Sequence, residues 1–185
     1  NRSVYDIKNE ENDSYRIKQG LTPEIVEKIS EEKHDPAWMR EFRLKSLEIY
    51  NNMQVPDWGP SIDGLNMDNI ATYVRANTNM KGDWKDVPEE IKDTFDRLGI
   101  PKAERESLAG VGAQYDSELV YHNVRKEVAD QGVVYTDMES ALTGEYADMV
   151  HEHFMKLITP QDHKFAALHG AVWLSLIHIS EPTRH

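Results

Sequence analysis

Asp35-Pro36-Ala37-Trp38-Met39-Arg40-Glu41-Phe42-Arg43-Leu44-Lys45-Ser46-Leu47-Glu48-Ile49-Tyr50-Asn51 is the stretch that decides the fold class. An aspartate ahead of a proline is a helix start. The carboxylate can accept from the free backbone N–H groups of the first turn, and proline has the φ that the first helical residue needs. Beyond it, Trp38, Met39, Phe42, Ile49 and Tyr50 fall close to one face, while Arg40, Glu41 and Lys45 point elsewhere. The pattern predicts an amphipathic helix to about Asn51, one face against a core. Losing the Asp35 cap is expected to cost about 1 kcal/mol.

Working outward, the same signal occurs at Thr22-Pro23-Glu24. It predicts a helix carrying Ile25, Val26 and Ile29 inward and stopping before Pro36. Residues 1–20 are polar, with Tyr5, Ile7, Tyr15 and Ile17 as apolar handholds, and read as a loosely held arm. Residues 52–86 are broken by Pro56, Gly59, Pro60, Gly64 and Gly82 and read as loop, with a short strand over 70–74. Pro88 opens a third helix in which Ile91, Phe95 and Leu98 share a face, and Gly99 provides its left-handed stop. Another short helix is expected from Pro101 to Leu108, followed by an extended or looped segment over 109–114. Ser117 reads as the cap of a helix aligning Val120, Val124 and Val128 and ending at Gly132, and residues 133–135 as a short strand. Helices are expected from Met138, from Glu145 to about Lys156, and after Pro160, where Asp162 caps a run with Phe165, Leu168 and Val172 at helical spacing. The class is mainly α with a few short strands.

Composition narrows the function. The 185 residues carry a formal net charge of -12, the wrong sign for a surface that displaces counterions from phosphates or binds anionic membranes. There is no cysteine, so these residues hold no disulfide, thiol nucleophile or thiolate metal site. A cytoplasmic location is expected. No apolar run is long enough to span a bilayer. No secretory signal opens the chain, which begins on Asn1 rather than Met, as though a native start had been lost.

The candidate chemistry is thin. His151-Glu152-His153 looks like a metal motif, but zinc hydrolases place two histidines four apart so that both rings leave one helix face. Two apart, they diverge and read as solvent-facing. Nothing in the pattern makes His163 or His169 a ligand. Gly110-Val111-Gly112 is a fragment of a dinucleotide turn without the third glycine in register. There is no phosphate loop and no G-x-S-x-G elbow. No catalytic, cofactor-binding or metal residue is assigned, and no enzyme activity is expected.

Several stretches together resemble the SufB/SufD family of iron–sulfur cluster assembly scaffolds. They are Asp35-Pro36-Ala37-Trp38-Met39 with Glu41-Phe42-Arg43-Leu44-Lys45, Val55-Pro56-Asp57-Trp58-Gly59-Pro60, Asp86-Val87-Pro88-Glu89-Glu90-Ile91 and Leu98-Gly99-Ile100-Pro101. The most distinctive is Leu108-Ala109-Gly110-Val111-Gly112-Ala113-Gln114-Tyr115-Asp116-Ser117-Glu118, with Tyr121-His122-Asn123 after it, and the last is Lys164-Phe165-Ala166-Ala167-Leu168-His169-Gly170-Ala171-Val172-Trp173. The resemblance covers residues 3–173 almost throughout, and the run from Gly110 to Glu118 favours the SufB branch. It implies an N-terminal helical region that in the full family precedes a right-handed parallel β-helix, absent here. It also implies a complex with SufD and the ATPase SufC, sulfur from a cysteine desulfurase, an Fe–S cluster as product, and an association with reduced flavin.

The departures are equally informative. Some members carry a cysteine-rich motif around Thr78 to Lys85, and this chain has none there. The family's functional Cys, Glu and His positions lie in its core and C-terminal parts, so none transfers. After Trp173, Leu174-Ser175-Leu176-Ile177-His178-Ile179-Ser180-Glu181-Pro182-Thr183-Arg184 resembles translated sequencing-adapter read-through of the kind found in metagenomic assemblies. The domain reading is therefore an arm over 1–20, a helical region over 21–173 and a non-native tail over 174–185. Standing alone, such a fragment is expected to leave Phe165, Leu168, Val172 and Trp173 partly exposed and to be inactive. Taken without the resemblance, the residues also fit a free-standing acidic helical interaction module, or a small metal enzyme built on His151 and His153.

Overall fold

Thr22 does what its position predicts. Its hydroxyl accepts from the Ile25 N–H at 3.4 Å, Pro23 takes the first helical position, and helix α1 runs Pro23–Glu32. In the computed structural model the described residues are 13–59, 61–76, 81, 83–97, 99, 110–115, 118–124 and 126–172. They divide between two units, one holding residues 13–15 and 74–137, the other 16–73 and 138–172. The helix expected over 101–108, Trp173, and the tail over 174–185 lie outside the described residues.

The second unit is helical. α1 ends in a Schellman closure: the Asp35 N–H reaches the Ser30 carbonyl at 3.0 Å and the His34 N–H reaches Glu31 at 3.1 Å. His34 takes the left-handed conformation, φ 53°, that glycine usually supplies there. Helix α2 then runs Ala37–Asn52. Its start corrects the expected cap. Pro36 occupies the N-cap position with no side-chain hydrogen bond, and the Asp35 carboxylate turns inward to the Arg43 guanidinium at 2.6 Å. Both side chains of that pair are buried, 3% and 1% exposed for Arg43 and Asp35. The Schellman turn commits the backbone of Asp35 to α1, and a buried guanidinium is a stronger claimant on its carboxylate than exposed amides.

The buried face of α2 is Met39, Arg43, Ser46 and Leu47. Three further helices pack in this unit: α5 (Met138–Thr143), α6 (Ala147–His153) and α7 (Lys164–Val172). α7 meets α2 through small residues, burying Ala166, Ala167, Gly170 and Ala171. Val26, Leu47 and Ala171 form a core cluster, with Leu44, Tyr50 and Val172 against it. Lys164 closes the far end of α2, its ammonium donating to the carbonyls of Tyr50 at 2.9 Å and Met53 at 2.8 Å. A cation there also suits the negative end of the helix dipole. Lys33, itself 3% exposed, bonds Glu139 of α5 at 3.3 Å and ties the α1–α2 corner to a helix 106 residues away.

The first unit is mixed. Strand β1 (Asp13–Arg16) pairs with β2 (Val74–Ala76). From Asp13 onward the arm expected over 1–20 is thus held; past this strand, within the helical unit, the Ile17 and Gly20 N–H groups donate to the Tyr73 and Ile70 carbonyls, and Ile17 is buried. Residues 1–12 lie outside the described set. The strand expected over 70–74 begins only at Val74. Helix α3 (Glu89–Arg97) follows a 3-10 turn at Trp84–Asp86, and Gly99 sits beyond it at φ 74° as expected.

Strand β3 (Gly110–Tyr115) pairs antiparallel with β4 (Glu118–Val124), Gly110 opposite Val124 and Tyr115 opposite Glu118, with a register shift between Ala113 and Gln114. This overturns the helix expected from Ser117. Valines four apart share a face in a strand as well as in a helix, so the spacing never discriminated between them. Pairing with β3 decides for the strand. Only a short helix α4 (Lys126–Ala129) follows before Gly132. Residues 133–135, expected as a short strand, form none. The core of this unit is Val87, Ile91, Val120 and Tyr121, with Trp84 edge-on to Phe95 at 5.5 Å and to Tyr121 at 5.3 Å.

Candidate functional site

Among the described histidines, His151 makes a ring contact and His163 a capping one. His151 lies exposed on α6 and stacks on Trp38, ring centroids 4.4 Å apart at 29°. Trp38 also meets Phe154 edge-on at 5.9 Å, and Phe42 does so at 5.1 Å, so an aromatic seam joins α2 to the end of α6. Glu152 and His153 are exposed on the same short helix. His163 carries the local role expected of Asp162: its Nδ1 accepts from the Ala166 N–H at 3.1 Å and caps α7. Asp162 instead accepts from the backbone and hydroxyl of Thr159, which hold its carboxyl below the usual carboxylate range. Partial desolvation lowers the His169 imidazole from its ordinary value. Among the described residues no group of three or more His, Asp or Glu is placed to hold a metal ion. Zinc titration of the chain is expected to show no stoichiometric tight site, and His151→Ala to leave the isotherm unchanged; a saturable site lost in that variant would contradict this.

Gly110-Val111-Gly112 opens strand β3. It lies inside an antiparallel strand, opposite Val124, Asn123 and His122, and not at the turn into a helix where backbone amides could cradle a phosphate.

What the unit containing α2, α6 and α7 does present is apolar surface on two loops. After α2, Val55 is 47%, Trp58 71% and Leu65 56% exposed; after α6, Leu157 is 97% and Ile158 62% exposed. The loops come together where the Trp58 ring stands edge-on to His163, 5.8 Å between centroids. Phe165, Leu168 and Val172, expected to be partly exposed, are half-buried, and Val172 packs on the core. Leu157 and Ile158 escaped notice because helical periodicity nominates residues on helices. Their signal was an apolar pair stranded between a helix end and Thr159-Pro160. No helix among the described residues is long and apolar enough to cross a membrane.

The chain is similar to curated proteins over most of its length. It is 53% identical over 159 residues to the iron–sulfur cluster assembly protein SufB of Bacillus subtilis, a match covering 86% of this chain and 34% of that protein. It is 46% identical over 169 residues to a SufBD-family iron–sulfur cluster assembly protein of Staphylococcus haemolyticus, covering 91% and 36%, and 47% identical over 159 residues to one of Staphylococcus aureus, covering 86% and 34%. The chain thus spans about a third of the length of the curated relatives it matches. No family model matches it, and no solved structure does. The relatives that it matches are named as iron–sulfur cluster assembly proteins. Within that class it is a segment of the SufB/SufBD family.

Proposed function

We propose that this chain is the N-terminal helical part of a SufB-type scaffold on which iron–sulfur clusters are built, and that it is inactive by itself. The observation that carries the reading is the 53% identity to the B. subtilis protein over 86% of the chain. In the whole protein it works beside SufD and the ATPase SufC in the cytoplasm. A cysteine desulfurase supplies sulfur, reduced flavin is the associated cofactor, and the cluster is the cargo rather than a resident group. The helical unit contributes shape: buried ion pairs, a capped corner and close helix packing hold a fixed surface, and the reactive positions belong to the remainder of the polypeptide.

The test is a chimera in which residues of this chain replace the matched stretch of the B. subtilis protein. Introduced into cells depleted of their own SufB, it is expected to restore the activity of iron–sulfur enzymes, while the chain alone does not. Maturation by the chain alone, or a stable chimera that restores nothing, would overturn the reading.

A further inference from the structure

In an aspartate–glycine pair the side-chain carboxyl meets the next backbone nitrogen with little hindrance, because glycine carries no Cβ to shield its N–H. The 185 residues hold one such pair, Asp63-Gly64, and no asparagine followed by glycine. Both residues are exposed, on a turn closed where the Leu65 N–H donates to the Ile62 carbonyl at 3.0 Å. Gly64 takes φ 92° as its third residue, a conformation glycine supplies without strain, and a Cβ there would meet nothing within 4 Å. The Asp63 N–H donates to Ser61 Oγ at 3.1 Å. Among the described residues, neither the Asp63 carboxylate nor the Gly64 N–H has a hydrogen-bond or ionic partner. Comparable side chains elsewhere are committed. Asp162 accepts from the Thr159 backbone and hydroxyl, Asp83 from the Lys85 N–H at 3.0 Å and Asn66 from the Asp68 N–H at 2.9 Å. Asn52 donates to the Glu48 carbonyl at 2.9 Å from within α2, and Asp130 pairs with Lys126 at 2.8 Å. Each of these five is also followed by a residue that carries a side chain.

We propose that Asp63-Gly64 is a modification site, at which the chain converts its own aspartate to isoaspartate with water as the reagent. The Gly64 nitrogen attacks Cγ of the Asp63 carboxylic acid. The N–Cγ bond forms, the Cγ–OH bond breaks, and the hydroxyl leaves with the amide proton as water. The product is a cyclic succinimide. Water then adds to one of its two carbonyls. Addition at Cγ restores aspartate. Addition at the Asp63 backbone carbonyl carbon breaks the original peptide bond, frees that carbon as a carboxylate, and routes the backbone through Cβ and Cγ. No electrons are transferred, and the water lost in the first step is regained in the second. The backbone is one methylene longer, so the closure between Ile62 and Leu65 no longer fits. The disturbance reaches the 3-10 turn Met67–Asn69 that follows, and it stays at the surface because Asp63, Gly64 and Leu65 are all exposed.

The experiment ages the folded chain in mildly acidic buffer and reads isoaspartate in two ways. One is methyl transfer from S-adenosylmethionine by an isoaspartyl methyltransferase. The other is electron-transfer fragmentation of the digested chain, which separates isoaspartate from aspartate at each position. Position 63 is expected to carry more isoaspartate than any other site. Asp63→Glu, which would have to close a larger ring, is expected to lose the signal with an unchanged circular dichroism spectrum. Asp63→Asn is expected to raise it, since the same nitrogen then expels ammonia, and the mass difference between amide and acid reports the conversion. Isoaspartate spread evenly over the aspartates, or concentrated at another of them, would overturn the proposal. A folded chain that stays unmodified while a free peptide of residues 61–67 is converted would do so too, because the fold then shields the turn. So would an Asp63→Asn chain that keeps its amide.

Discussion

Asp35→Ala is expected to destabilise the α1–α2 unit by about 3–5 kcal/mol, because it leaves the Arg43 guanidinium buried without the carboxylate that faces it. A lost helix cap alone would cost about 1 kcal/mol, so the size of the effect separates the two roles of this residue. Small domains hold about 5–15 kcal/mol in total, which puts the variant close to unfolding at 37 °C. The natural control is the pair. Asp35→Leu with Arg43→Met removes both charges from the interior, and such replacements are often neutral or stabilising. Urea unfolding followed by circular dichroism gives the comparison. A single-variant loss near 1 kcal/mol, with no recovery in the double variant, would return Asp35 to the role of a cap. The pair sits where Lys33 and Glu139 also join the α1–α2 corner to α5, so its loss is expected to loosen α5 as well.

Gly170→Val is expected to be the next most damaging change, at about 3 kcal/mol. A Cβ at Gly170 would stand 2.6 Å from Ser46 Oγ, 3.0 Å from Ser46 Cβ and 3.2 Å from Phe42 Cε1, so α7 would have to move off α2. The serine cannot swing aside freely, since its hydroxyl donates to the Phe42 carbonyl at 2.7 Å and its Cβ is fixed to the helix. Gly170→Ala is the informative milder case. Helix propensity favours it by about 1 kcal/mol, while overpacking costs about 1–3 kcal/mol. The net expectation is a small loss, reduced when Ser46→Ala removes the nearest atom. Thermal melts of the three variants decide it. A Gly170→Ala protein more stable than the parent would show that the two helices have room to spare.

The start of α1, the existence and length of α2, the stop of α3 at Gly99 and the mainly helical class were all legible from local chemistry. A threonine before a proline, apolar residues at helical spacing and a glycine after the last turn act within a few residues of chain, so the chain alone determines them. The family was legible for a different reason: several motifs in the right order are far more specific than any one of them.

The partner of each group was not legible. Asp35 could cap α2 or meet Arg43, and only the burial of Arg43 between packed helices made the second the stronger use. Val120 and Val124 fit a helix or a strand equally, and pairing with Gly110–Tyr115 makes the strand, while Val128 falls on α4. Asp162 and His163 stand side by side in sequence, and which of them caps α7 follows from the tight turn that Asp162 closes with Thr159. Leu157 looks like any core leucine until the direction of the Met155 turn shows it facing water. In each case the local chain was compatible with two arrangements. The choice came from a contact that packing makes or from the direction of the backbone, neither of which helical periodicity encodes.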